Sequence, residues 1–389
     1  MTDTSRLTPL TTRFMTTGLP DNTLSTLLDD SPARGDAAPS TDRGQLRRVF
    51  NALVGDRSLA EPVTYRLDRQ IGKGRQGIVF EAHRHGSRGC VTRHAVKLFD
   101  PAIYRDAESY WQDMGRIATQ VSRLQSCGSP QIVGCDAYQE SGGVGCLQME
   151  LINGLNLMQL LDPVRFGGVR ARRNSREWRQ FLGVVFNSYE DRLCVQPGVA
   201  VYIMRQMLHG LEALHSAQYL HCDIKPLNVM IDLSGYVKLI DLGRAHSVTD
   251  PSGLLLGTPM YMAPELHDRA LPSVQADIYS VGLVGLELLS GRRLLESAVA
   301  AGGSLREAKA TLPQRFEATL PPYVRCNREL ITILRRFLHP DPQARFPSVQ
   351  AAETSAEGLA MVHRQLTRMD IDTDYRRDLA AYVQQAVAF

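Results

Sequence analysis

The feature that most constrains this fold is a change of apolar period near residue 100. From residue 65 the stretch YRLDRQIGKGRQGIVFEAHRHGSRGCVTRHAVKLF reads as strands, with GKGRQG and HGSRG as the turns between them. Between 103 and 124 the apolar residues fall instead at Ile103, Tyr104, Ala107, Tyr110, Trp111, Met114, Ile117, Ala118, Val121 and Leu124, the spacing of a long amphipathic helix. Strand-like residues return over 131–152. From 197 onward the pattern is mostly helical, interrupted by the β-rich stretch HCDIKPLNVMIDLSGYVKLIDLG at 221–243. The order predicts an α+β, bilobal chain: a small β-rich lobe, then a larger helical lobe, with a cleft between them.

Residues 1–42 are rich in Thr, Ser, Asp, Pro and Gly and predict a flexible arm. Residues 43–64 predict a short helix and linker, because Leu46, Val49, Phe50 and Leu53 share helical spacing. The tail 351–389 reads as two helices. The first finishes or extends the large lobe, and the last either packs on it or serves a partner.

Composition narrows the function class. A net charge of +3 argues against a dedicated nucleic-acid binder. Seven dispersed cysteines with no CxxC pair fit a reducing compartment better than a disulfide framework. No apolar run is long enough to span a bilayer, and the N-terminus lacks the basic-then-apolar order of a secretory signal. Cytoplasmic residence is the expectation, with leaderless secretion as the other route.

IGKGRQGIV (71–79) has the form G-x-G-x-x-G-x-V. Glycines let a backbone approach phosphates without a Cβ in the way. The loop lies between two strands, which disfavours a dinucleotide-binding turn, and no Lys-Ser/Thr follows Gly77, which excludes a Walker A loop. A bare β-turn is the bland alternative. Lys97, in HAVKLF, lies on a strand 20 residues after Gly77. It is either a solvated lysine or one that holds nucleotide phosphates.

With these elements in order, residues 65–350 resemble a eukaryotic-type protein kinase. LQMELINGLNL (147–157) resembles the fifth strand and hinge, and HCDIKPLN (221–228) an HCD variant of the catalytic loop. DLG (241–243) resembles the DFG element, GTPMYMAPE (257–265) the end of the activation segment, and DIYSVG (277–282) the start of the central helix. The resemblance implies an N-lobe at about 65–150 and a C-lobe at about 154–350, with a basic insertion at 163–196. It implies ATP and Mg²⁺ as cofactors and Ser/Thr hydroxyls of proteins as acceptors.

Nucleotide contacts are implied for Ile71, Gly72, Lys73, Gly74, Gly77, Val79, Ala95 and Lys97. Met149 is implied as gatekeeper, Glu150 and Ile152 as backbone partners of adenine, and Met230 as its floor. Asp223 would take the proton of the acceptor hydroxyl, and Lys225 would lie near the γ-phosphate. Asn228 and Asp241 would supply hard oxygen ligands to Mg²⁺. Arg345 would pair with Glu265.

Two departures stand out. Ten residues before Pro130 the family places a glutamate that pairs with the strand lysine; this chain has Gln120. Its side-chain oxygen is expected to accept a hydrogen bond from Lys97, more weakly than a carboxylate would. A shifted alignment using Asp113 or Glu108 is the alternative. Cys222 stands where an arginine usually grips a phosphorylated activation loop, so Ser247, Thr249 and Ser252 are not expected to switch the enzyme through such a pocket. A small buried cysteine is the plainer reading of Cys222, and a redox role the other. In the insertion, Arg165, Arg170, Arg172, Arg173, Arg176 and Arg179 surround Trp178 and Phe181. They read as a solvated insertion or as a docking surface for an acidic partner, a membrane or nucleic acid. The competing functions are a pseudokinase serving as a nucleotide-binding scaffold and a small-molecule kinase. The retained Lys97, Asp223, Lys225, Asn228 and Asp241 argue against the first, and GTPMYMAPE against the second.

Overall fold

The computed structural model describes residues 42–59, 64–172, 175–248, 257–296, 300, 302–369 and 374–388. The expected arm lies outside the described residues up to position 41, as do Arg173, Thr249 and Ser252 and the side chains of Arg176 and Arg179.

Helix α1 (Arg43–Asp56) leads into a six-stranded antiparallel sheet of β1 (Ser58–Leu59), β2 (Tyr65–Gly74), β3 (Gly77–His85), β4 (Val91–Phe99), β5 (Cys135–Ser141) and β6 (Val144–Met149), in the order β1-β2-β3-β4-β6-β5. Side chains alternate across a strand. Val96 and Leu98 therefore join Phe50, Phe80 and Cys146 on one face, while Ala95 and Phe99 join Leu46, Tyr110 and Met114 on the other. Lys97 shares this second face, under α2 (Ala107–Leu124). Helix α2 starts on a reciprocal cap between Asp106 and Ser109 and buries Ala107, Tyr110, Met114, Ile117, Gln120, Val121 and Leu124, one stripe at helical spacing. Gly77 has no substitute, because a Cβ there would lie 1.9 Å from the carbonyl oxygen of Leu98.

The larger lobe follows with β7 (Gly154–Asn156), α3 (Leu157–Leu160), α4 (Pro163–Ala171), α5 (Ser175–Val184), the hairpin β8 (Phe186–Tyr189) and β9 (Arg192–Val195), and α6 (Pro197–Ser216). After β10 (Tyr219–Leu220), the strand β11 (Val229–Asp232) pairs with both β12 (Val237–Leu239) and β7, and β13 (His246–Ser247) pairs with β10. Helix α7 (Val274–Ser290) is buried from Ala276 to Ser290 and apolar nearly all round, the pattern of a helix at the centre of a lobe.

The insertion is built into this lobe. Phe166 stacks edge-on with Trp178 and Phe186, and Tyr382 does so with Phe181 and Phe186. Arg165 donates to the Ala386 carbonyl. Arg165 and Phe181 therefore face the terminal helix Tyr375–Ala386, and Trp178 is buried beside Phe166. That helix also caps β11, where Gln384 Nε2 donates to Leu233 O at 2.9 Å. No helix among the described residues is long and apolar enough to cross a membrane.

Candidate active site

The strand register gathers one half of the site. Val79 pairs with Gly72 and Lys97, and Ala95 pairs with Met149. Ile71, Lys73 and Gly74 lie exposed near the end of β2. Met230 lies across the cleft on β11, between Asn156 and Lys238. In the hinge, the amide of Glu150 is already committed to Gly134 O at 2.8 Å, and its carboxylate holds Lys238 at 2.8 Å. Of its polar groups only the carbonyl remains for a ligand, with the backbone of Ile152 beyond it.

Lys97 is buried and reaches across the cleft. Its Nζ donates to Asp241 Oδ1 at 2.6 Å and to Gln76 Oε1 at 3.0 Å. Burial disfavours an ionised Asp241, but the Lys97 ammonium outweighs it and holds the carboxyl below its ordinary pKa. This corrects the expectation for Gln120. Its Nε2 donates to Leu242 O, its Oε1 accepts from Arg116 at 3.4 Å, and Lys97 takes its neutral oxygen from Gln76 in the glycine-rich turn. Asp113 pairs with Arg116 and Glu108 is exposed, so neither alternative supplies the lysine's partner.

The second half hangs from α7. Asp277 accepts the amides of His221 and Cys222 at 2.9 Å each and His215 Nε2 at 2.9 Å. Those bonds hold Cys222 at φ 60 and turn Asp223 into the cleft. Burial pushes the Cys222 thiol well above its ordinary pKa, which suits the plainer reading of this cysteine. Asp223 Oδ2 accepts from Lys225 Nζ at 2.7 Å and from Asn228 Nδ2 at 3.1 Å. Its Oδ1 accepts from Thr258 Oγ1 at 2.7 Å, with Arg244 Nη1 3.6 Å away. Asn228 Nδ2 also donates to Asp223 O at 2.9 Å, which turns the amide oxygen away from Asp223. The β11–β12 pairing continues through Ile240 N to Asn228 O at 2.9 Å, so Asn228 and Asp241 flank one rung of the ladder. An amide oxygen at Asn228 and a carboxylate at Asp241 are hard donors of the kind that suits Mg²⁺.

The activation segment's end is pinned from below. Arg345 forks onto both oxygens of Glu265 at 2.8 and 2.7 Å. Tyr261 donates to Glu287 Oε2 at 2.8 Å, and burial raises the Glu287 pKa to about 7. Lys309 is wholly buried and donates to Pro259 O at 2.5 Å and Met262 O at 2.6 Å, beside His267 Nε2 at 2.9 Å. Lys309→Met is expected to cost about 1–3 kcal/mol by orphaning these carbonyls, read by urea unfolding. Burial lowers the Lys309 pKa from 10.5 to about 7. In that window the unfolded chain binds the extra proton, so wild-type stability relative to the variant should rise from pH 7 towards 10.5. A flat difference would count against the assignment.

Gln76, Arg116, Arg244 and Lys309 are the site residues that sequence reasoning missed. Arg116 alone carried a usable signal, lying four residues before Gln120 on the same helix face.

The family described as protein kinase domain matches residues 65–355. The chain is 27% identical over 327 residues to the serine/threonine-protein kinase pkn2 of Myxococcus xanthus, covering 81% of this chain and 34% of the relative. It is 31% identical over 231 residues to the serine/threonine-protein kinase PknE of Mycobacterium bovis, covering 58% and 35%. It is 28% identical over 295 residues to the serine/threonine-protein kinase PknA of Corynebacterium glutamicum, covering 73% and 53%. The chain thus spans between a third and about half of the length of these relatives.

Proposed function

The chain belongs to the eukaryotic-type protein kinase family, and on that premise we propose that it transfers the γ-phosphate of ATP to serine and threonine hydroxyls of protein substrates. One observation carries the reading. A threonine hydroxyl, Thr258 Oγ1, lies 2.7 Å from Asp223 Oδ1 and 2.9 Å from Lys225 Nζ, the two groups an acceptor hydroxyl would need. In the proposed reaction Asp223 takes the proton as the acceptor oxygen bonds to the γ-phosphorus and the bond to the β-phosphate oxygen breaks. Lys225 offsets charge on the transferred group, and Lys97 orients the phosphates behind it. Asn228 and Asp241 would hold Mg²⁺, which supplies positive charge against the phosphate oxygens. Val79, Ala95, Met149 and Met230 would enclose the base. The joint retention of base, lysines and metal ligands disfavours a scaffold without transfer.

The test uses labelled ATP, Mg²⁺ and dephosphorylated casein. Label on phosphoserine and phosphothreonine, abolished by EDTA, is expected. Nucleotide binding without transfer, or label on tyrosine alone, would overturn the proposal.

A further inference from the structure

We infer that helix α1 sets the position of the segment after Asp241, through a relay of four positioning residues, Arg43, Tyr104, Asp113 and Arg116. Only the activity readout of this inference rests on the kinase reading above. Asp241 sits at φ 61, a left-handed conformation that a residue with a side chain keeps only when its surroundings hold it. Helix α2 does not do this through Lys97, whose partners are Asp241 and Gln76. It bonds the main chain instead. Gln120 Nε2 donates to Leu242 O, Arg116 Nη2 to Gly243 O at 2.8 Å, and Arg116 Nη1 to Ala245 O at 3.2 Å.

The guanidinium of Arg116 is itself aimed. Asp113 Oδ1 accepts its Nε at 2.9 Å and lies 2.8 Å from its Nη2. The other Asp113 oxygen accepts the hydroxyl of Tyr104 at 2.5 Å. The main chain of Tyr104 is in turn held by Arg43, whose Nη1 donates to Tyr104 O at 2.6 Å and Arg105 O at 3.1 Å. Arg43 is the first residue of α1, and its neighbour Gly44 is capped by Asp42 Oδ1 at 2.8 Å. Leu46 docks that helix. It is fully buried, and with Trp111 of α2 it borders Gly143 in the turn between β5 and β6. An unbroken path of bonds therefore joins α1 to the carbonyls that follow Asp241.

The experiment compares Arg43→Ala, Tyr104→Phe and Arg116→Ala in the full chain. Each should lower kcat by about threefold or more while KM for ATP stays within about twofold. Arg43→Ala should cost nothing further in an Arg116→Ala background, as links of one relay behave. Hydrogen exchange supplies a readout independent of activity: amides over 242–246 should exchange faster in Arg43→Ala, and also in Leu46→Asp, which detaches α1. Unchanged exchange there, or effects of Arg43→Ala and Arg116→Ala that multiply, would overturn the relay. If the wild type transfers no phosphate, the kinase reading fails and the exchange data alone decide the relay.

Discussion

Asp223→Asn is expected to lower phosphate transfer by about 10²–10⁴-fold, the range set by loss of a positioned proton acceptor. Asparagine keeps the shape, so the wholly buried side chain still fills its place beside Thr258. What it removes is basicity and charge. Either way the amide turns, its NH₂ group would meet a donor: Lys225 Nζ and Asn228 Nδ2 where Asp223 Oδ2 now accepts at 2.7 and 3.1 Å, or the Thr258 amide where Oδ1 accepts at 3.0 Å. Nucleotide affinity should stay within a few-fold, because the bonds of Lys97 to Asp241 and Gln76 do not involve Asp223. Turnover and nucleotide binding measured on one preparation separate these effects. Retention of a tenth or more of wild-type turnover would remove Asp223 from the proposed role.

Glu265→Ala is expected to cost about 3–5 kcal/mol in urea unfolding, the largest single loss in the helical lobe. Arg345 has no exposed side-chain surface and lies 4.9 Å from the ring centre of Tyr279. Its guanidinium is satisfied by Glu265 together with the carbonyls of His339, Gln275 and Pro340. Removing the carboxylate leaves a buried charge facing dipoles alone. Asp268→Ala provides the contrast. It breaks a pair with Arg306 whose side chains are 53% and 56% exposed, and an exposed pair is worth about 0–1 kcal/mol. Equal losses from the two substitutions would show that burial does not set the value of the Glu265 pair.

The outline of the fold was legible because it depends on local periodicity. The change from alternation to helical spacing near residue 100 and the apolar run that becomes α7 are visible without tertiary context. Lys97, Asp223, Lys225, Asn228 and Asp241 were legible as candidates because the proposed chemistry asks for particular residue types at near-fixed spacing. Gln120 shows where this stops. Its slot on the buried face of α2 was correct, but an amide both donates and accepts, and sequence does not say which end is used. Its true partner is a backbone carbonyl, which has no residue code. Gln76 was hidden because glycine spacing defines the turn and says nothing about the residues between. The inward turn of Arg165 and Phe181 depends on a helix some 200 residues later in the chain, beyond any local pattern.

The bond from Lys97 to Gln76 bears on how a nucleotide would arrive. The ammonium of Lys97 gives one of its three N–H groups to Gln76 in the glycine-rich turn and another to Asp241, so an incoming phosphate would meet a lysine already shared between two oxygens. A phosphate oxygen that took the place of Gln76 on Lys97 would release the turn, and its departure would let that bond re-form. Measured affinity would then be the difference between two oxygens for one lysine, and the glycine-rich turn would act as the doorkeeper of that exchange.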